Sequence, residues 1–240
     1  MTKEQLLNKA NFLVFPTNQP SNVYDVTVDN DMFWEIQKRF PSNNIELLPV
    51  GDVYSYWNLN NHHYVMDYHK KVVLPKISKT FGLGIEKNDI YWYKITDDIP
   101  ENYFIEVPVW EGDEYCFVNH SIGYESTRSG LSANCNDIVE YGCVTPYHWL
   151  FVGGHSICTV EKVKGEHNNK KLFMVCNSQM IPSIPALAHY YKKMVIVDRR
   201  IADFDISTLY KDETFDDVLF CLWRFCTEPV ERYVNNILIF

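Results

Sequence analysis

The chain has 240 residues, 46% hydrophobic and 22% charged, enough to bury a full-sized core as one globular domain. Its formal charge of −9, from 31 acidic against 22 basic residues, argues against a protein that tracks nucleic-acid phosphates. No apolar run approaches the roughly 20 residues of a membrane-spanning helix, and seven cysteines without a CxxC spacing speak against a zinc ribbon or a small disulfide framework.

The opening segment, MTKEQLLNKANFLVF, lacks the apolar core and small-residue cleavage site of a signal peptide. Cysteines lying in apolar stretches, such as Cys176 and Cys221, behave as small hydrophobes. Together these features predict a reducing, cytoplasmic setting. A short apolar run, Phe12 to Phe15, ends at Pro16, and DNDMFWEIQKRF reads as a helix with Asp29 or Asn30 as its N-cap. IELLPV (45–50) reads as a buried strand. From His62 to Phe81 the spacing of Val65, Tyr68, Val72 and Ile77 suits a helix that Pro75 must bend or restart. Residues 88–150 hold short β-type pieces (IYWYKI, YFIEVPVW, EYCFVN) and read as an irregular β-rich insertion.

The C-terminal ninety residues are the most regular. KLFMVC (171–176), MVIVDRR (194–200) and FDDVLFCLWRF (215–225) are apolar strands without polar alternation. They are separated by NSQMIPSIPALAHYY, a turn and helix, and by DISTLYKDE, a short helix. Such strands belong to a parallel sheet covered on both faces, and right-handed crossovers make it a doubly wound, mostly parallel α/β sheet. Ligands then sit beyond the carboxyl ends of the strands, where Asn177-Ser178, Asp198-Arg199 and the segment after Leu222 fall.

Three constellations can carry chemistry. Ser178 stands where a buried strand turns into a helix, a place that suits a serine nucleophile with backbone N–H groups near an oxyanion, or a plain helix cap. Asn60-Asn61-His62-His63-Tyr64 offers a base, a metal ligand or surface histidines; adjacent side chains do not share a helical face, and no HExxH accompanies them, so no metal site is expected. Gly153-Gly154-His155 permits a close backbone approach to a ligand, or turns the chain. GxGxxG, Walker and GxSxG patterns are all absent.

In this order the blocks HHY, Phe81-Gly82-Leu83, FVGGH, KKLFMVCNSQMIPSIPALAHYYKKMVIVDRR and FDDVLFCLWRF resemble the DHHW proteins. They resemble equally the alginate-acetylation proteins, within the SGNH hydrolase-like superfamily. The likeness is loose over 50–83 and more specific over about 148–225. It implies a single SGNH hydrolase-like domain over residues 1–240, flavodoxin-like in its three layers, with the insertion at about 88–150. Ser178 matches the family's nucleophile, and His63 its general base. Asn61 stands where the family has the aspartate that orients the histidine, Tyr64 replaces a tryptophan, and Asn177 replaces the aspartate before the serine. Gly153 and Gly154 match a paired-glycine block, with His155 where asparagine is common; together with Asn177 they imply an oxyanion or substrate-binding set.

The Asn61 departure matters physically. An asparagine can accept a hydrogen bond from the imidazole but supplies no charge for the imidazolium, and the same change in a serine protease costs about 10⁴ in turnover. Asp52 or Asp67 could take its place, Asp67 lying one helical turn beyond His63. The resemblance implies an O-acetyltransferase or acetylesterase acting on a bacterial polysaccharide, with no bound cofactor and, in a cytoplasmic setting, acetyl-CoA as acetyl donor. A glycan substrate and polysaccharide-assembly proteins are the implied partners, although relatives work in an exported compartment. A second reading is a carbohydrate-binding or scaffolding domain that kept the fold and lost the chemistry, supported by the two Asp-to-Asn departures and a 15% aromatic content. A phosphate- or nucleotide-binding α/β domain rests on topology alone.

Overall fold

Strands that are apolar at every position have no solvent face and must be covered on both sides, and this requirement organises the molecule. The computed structural model describes residues 1–15, 26–48, 57–58, 63–64, 68–85, 92–94, 106–108, 114–121, 124–132, 157–198, 212–222, 231 and 234–235. In chain order its strands are β1 (Ala10–Val14), β2 (Ile45–Leu47), β3 (Trp57–Asn58), β4 (His63–Tyr64), β5 (Trp92–Lys94), β6 (Glu106–Pro108), β7 (Glu114–Ser121), β8 (Tyr124–Ser132), β9 (Ile157–Lys164), β10 (Lys171–Cys176), β11 (Lys193–Asp198) and β12 (Asp217–Leu222). The α-helices are α1 (Lys3–Lys9), α2 (Val26–Arg39), α3 (Leu74–Phe81) and α4 (Ile184–Tyr190). A π-helical turn (His69–Val73) runs into α3, and a 3-10 segment (Ser178–Ser183) runs into α4.

One eight-stranded sheet has the order β2-β1-β12-β10-β11-β9-β7-β8. β2, β1, β12, β10 and β11 are mutually parallel. β9, β7 and β8 extend the sheet antiparallel. The fold is therefore the expected α/β sheet, mostly parallel at its centre. Part of the β-rich stretch between 88 and 150 continues this sheet through β7 and β8, while β5 and β6 pair separately.

Alternate residues of the central strands feed two cores. Leu13, Leu172, Met174, Met194, Ile196 and Leu219 face one side, against the π turn, α3 and α4. Phe12, Val14, Phe173, Val175, Val195, Val197 and Phe220 face the other, against α1 and α2 through Leu6, Met32 and Ile36. Burying each such side chain contributes about 1.5–3 kcal/mol.

Local chemistry sets the helix boundaries. Thr2 and Gln5 form a reciprocal capping box that starts α1. α2 begins at Val26, so Asp29 and Asn30 lie inside the helix and do not cap it. β2 is only partly covered and ends at Leu47; the buried strand expected over 45–50 is instead a half-exposed edge. The helix expected over 62–81 is shorter. His63 and Tyr64 are extended, and helical backbone is described from Tyr68 onward. Pro75 occupies the first turn of α3. A proline ring presses on the carbonyl four residues back, here that of Lys71, and the preceding turn widens so that Leu74 N–H reaches the His69 carbonyl. Gly82 ends α3 at φ 62, where a side chain would be strained. The helix expected over DISTLYKDE falls mainly outside the described residues.

Candidate active site

The parallel strands point their carboxyl ends at one edge of the sheet, and β10 delivers its chain there at Cys176. Asn177 follows, with its side chain buried at 7% exposure. Its Oδ1 accepts a hydrogen bond from Gln179 N–H at 3.0 Å, and its carbonyl accepts one from Met180 N–H at 3.0 Å. Asn177 therefore caps the 3-10 segment, the task that Ser178 would have under the plainer reading of the sequence. Ser178 is the first residue of that segment, two residues beyond the end of β10.

His63 lies in β4, paired with Asn58 of β3 across a short antiparallel ladder. Residues of β4 and of the Ser178–Ser183 segment approach within 8 Å, Cα to Cα. The fold thus brings the strand that carries His63 beside the segment that opens with Ser178. Asn61, Gly153, Gly154 and His155 lie outside the described residues, as do Asp52 and Asp67. Among the described residues no group of three His, Cys, Asp or Glu side chains is arranged to hold a metal ion.

A second histidine also reaches this region. His69, on the π turn, is fully buried, and its Nδ1 lies 2.7 Å from Ser183 Oγ, itself fully buried. A serine and a histidine at this distance have the geometry of an activated nucleophile. With both at 0% exposure, however, no acyl donor reaches Ser183 Oγ. This pair is consequently a structural tie between the π turn and the 3-10 segment. Sequence reasoning did not single it out, yet one signal was present. His69 precedes Val73 by four residues and Ile77 by eight, which puts an imidazole in an apolar helical stripe where it needs a polar partner.

Two of the cysteines, Cys176 and Cys221, offer no competing nucleophile. Cys176 and Cys221 are buried, and burial pushes the Cys221 thiol well above its usual range.

No protein-family model matches the sequence, and no curated protein matches it. Solved structures do share the fold. A structure of Bacillus cereus PatB1 with a sulfonyl adduct superposes with a TM-score of 0.60 at 13% identity, covering 96% of this chain and 88% of that one. A DHHW family protein from Eubacterium siraeum superposes with a TM-score of 0.58 at 14% identity, covering 98% and 88%. A second PatB1 structure gives 0.53 at 15% identity, covering 92% and 83%. At such identities the likeness is one of fold, and it spans nearly the whole chain.

Proposed function

We propose that this protein is a serine-dependent O-acetyltransferase or acetylesterase acting on a polysaccharide. The observation that carries the reading is the meeting of the His63 strand with the segment that Ser178 opens, at the carboxyl edge of a parallel sheet. The shared fold with a DHHW family protein and with PatB1, recorded with a sulfonyl adduct, supports it. In the proposed reaction Ser178 Oγ attacks the acetyl carbonyl while His63 takes its proton. The acetyl–oxygen or acetyl–sulfur bond of the donor then breaks, and His63 returns the proton to the leaving group. A sugar hydroxyl or water next attacks the acetyl-serine, again with His63 as base. With the Gln179 and Met180 N–H groups engaged by Asn177, Ser178 N–H holds the oxyanion in this reading, joined by the Gly153-Gly154 segment and His155. Asn61, or a carboxylate such as Asp67, would orient His63. The acetyl donor in this reading is a thioester such as acetyl-CoA, and no resident cofactor is required.

Release of acetate from a chromogenic acetyl ester tests the proposal. Wild type is expected to turn over and Ser178→Ala not to; equal inactivity of both across ester and thioester donors would defeat it. Glycan binding that survives Ser178→Ala and His63→Ala, in a protein without turnover, would favour the carbohydrate-binding domain instead.

A further inference from the structure

The six-residue 3-10 segment is a weak element by itself. Its hydrogen-bond geometry is poorer than that of an α-helix, runs beyond three or four residues are uncommon, and Pro182 removes one donor from it. It nevertheless opens with Ser178. At its front, Asn177 engages two of its N–H groups. At its rear, Ser183 is bonded to His69 from a distant part of the chain, 114 residues away.

The positions of the two partners along the chain are informative. His69 lies six residues after His63, and Ser183 five residues after Ser178. A single buried contact therefore joins the chain segment that supplies the proposed base to the one that supplies the proposed nucleophile. His69 sits on a π turn, a rare geometry that recurs at functional sites, and here it is coupled to Pro75. Tyr68, beside His69, and Met180 and Ile184, flanking Ser183, pack into the same core and hold both partners.

We infer that the His69–Ser183 contact is a positioning device which sets the register of Ser178 against His63. The inference rests on the proposed acyl-transfer reading. Neither His69 nor Ser183 touches the acyl group; each acts through the segment it anchors. Displacing a reacting group by about 1 Å can cost about a hundredfold in rate, whereas binding of a substrate held elsewhere in the cleft need not change.

The test compares wild type, Ser183→Ala, His69→Asn and His69→Leu. Asparagine keeps a hydrogen-bonding group near the Nδ1 position, while leucine fills volume without one. Two readouts are taken on the full chain: the rate of Ser178 sulfonylation by phenylmethylsulfonyl fluoride, followed by intact mass and peptide mapping, and kcat and KM for the acetyl ester. In the labelling step Ser178 Oγ bonds to sulfur, fluoride leaves, and the serine proton passes to the base.

Ser183→Ala and His69→Leu are expected to lower both the labelling rate and kcat by about 10- to 100-fold, with KM within about twofold. His69→Asn is expected to recover most of the loss. A wild type labelled at Ser178, with Ser183→Ala labelled equally fast, would overturn the positioning role and leave the acyl-transfer reading intact. A folded wild type that is neither labelled at Ser178 nor active would overturn the acyl-transfer reading, and the positioning role with it. Should His69→Leu fail to fold, Ser183→Ala, which removes one oxygen, decides the matter by itself.

Discussion

The two ends of the parallel sheet use their polar groups differently. At the amino end the polar side chains are matched to one another. Glu213 pairs with Lys193 at 2.5 Å and Lys171 at 3.4 Å. Asp217 accepts from Tyr191 at 2.8 Å and pairs with Lys170 at 3.3 Å, and Lys170 also donates to the Phe81 carbonyl. Asp216 accepts the Lys171 N–H, and Lys9 donates to the Phe215 carbonyl. Burial, then Asp217, drives the Tyr191 hydroxyl far above the ordinary range of a phenol, so it stays a donor. At the carboxyl end Asn177 and the His69–Ser183 pair shape the backbone around Ser178 through hydrogen bonds. One end closes the molecule, and the other fixes the turn on which the proposed reaction depends. Substitutions at the two ends should accordingly separate stability from turnover.

The largest effect is expected from Ser178→Ala. Turnover of an acetyl ester should fall by on the order of 10³ or more, with a melting temperature close to wild type. Retained turnover would place the chemistry elsewhere. Next comes Asn177→Ala, which removes a cap worth about 0.5–2 kcal/mol and should lower turnover about tenfold or more. Asn177→Asp keeps the accepting oxygen and should stay within a few-fold of wild type in the same assay.

Tyr191→Phe at the opposite end is the matched control. Losing a hydrogen bond to a carboxylate should cost about 1–2 kcal/mol, read as a fall of a few degrees in calorimetry, with specific activity unchanged. If Tyr191→Phe impaired turnover as strongly as Asn177→Ala at equal loss of stability, the division between the two ends would fail.

The smallest expected effect concerns Glu213. Burial raises its pKa, but the hydrogen bond and charge of Lys193, then of Lys171, outweigh burial and hold the carboxyl below its usual value of 4.5. A carboxylate with a lowered folded pKa stabilises the protein fully above its unfolded value, and this contribution is lost as pH falls through the folded value. Glu213→Gln should therefore lower stability slightly at pH 7, by less than about 1 kcal/mol in these half-exposed, screened pairs. Thermal scans of the two proteins should converge as pH drops below about 4.5. A gap that widened in acid would reverse the assignment.

Legibility in the sequence followed the range of the interactions. β10, β11 and β12 were readable because a strand covered on both faces must be apolar at successive positions. β2 misled because an apolar run can equally serve a half-covered edge. The start of α2 was misplaced because Asp and Asn signal caps only where the chain leaves extended geometry, and there it is already helical. The π turn before Pro75 was foreseeable as a disturbance but not as that geometry. Ser178 was visible as a strand-end serine. The contact of His69 with Ser183 was not, since no local pattern links residues 114 positions apart.

Composition and local pattern were thus enough to determine an α/β chain with a serine just beyond one of its apolar strands, because propensity and burial act over a few residues. Only the tertiary structure decided that β12 inserts between β1 and β10, and that three antiparallel strands extend the sheet. It alone brought the His63 strand beside the Ser178 segment. Such pairings depend on which edges and faces meet in space, and their free energy belongs to contacts between distant segments, which a linear sequence does not display.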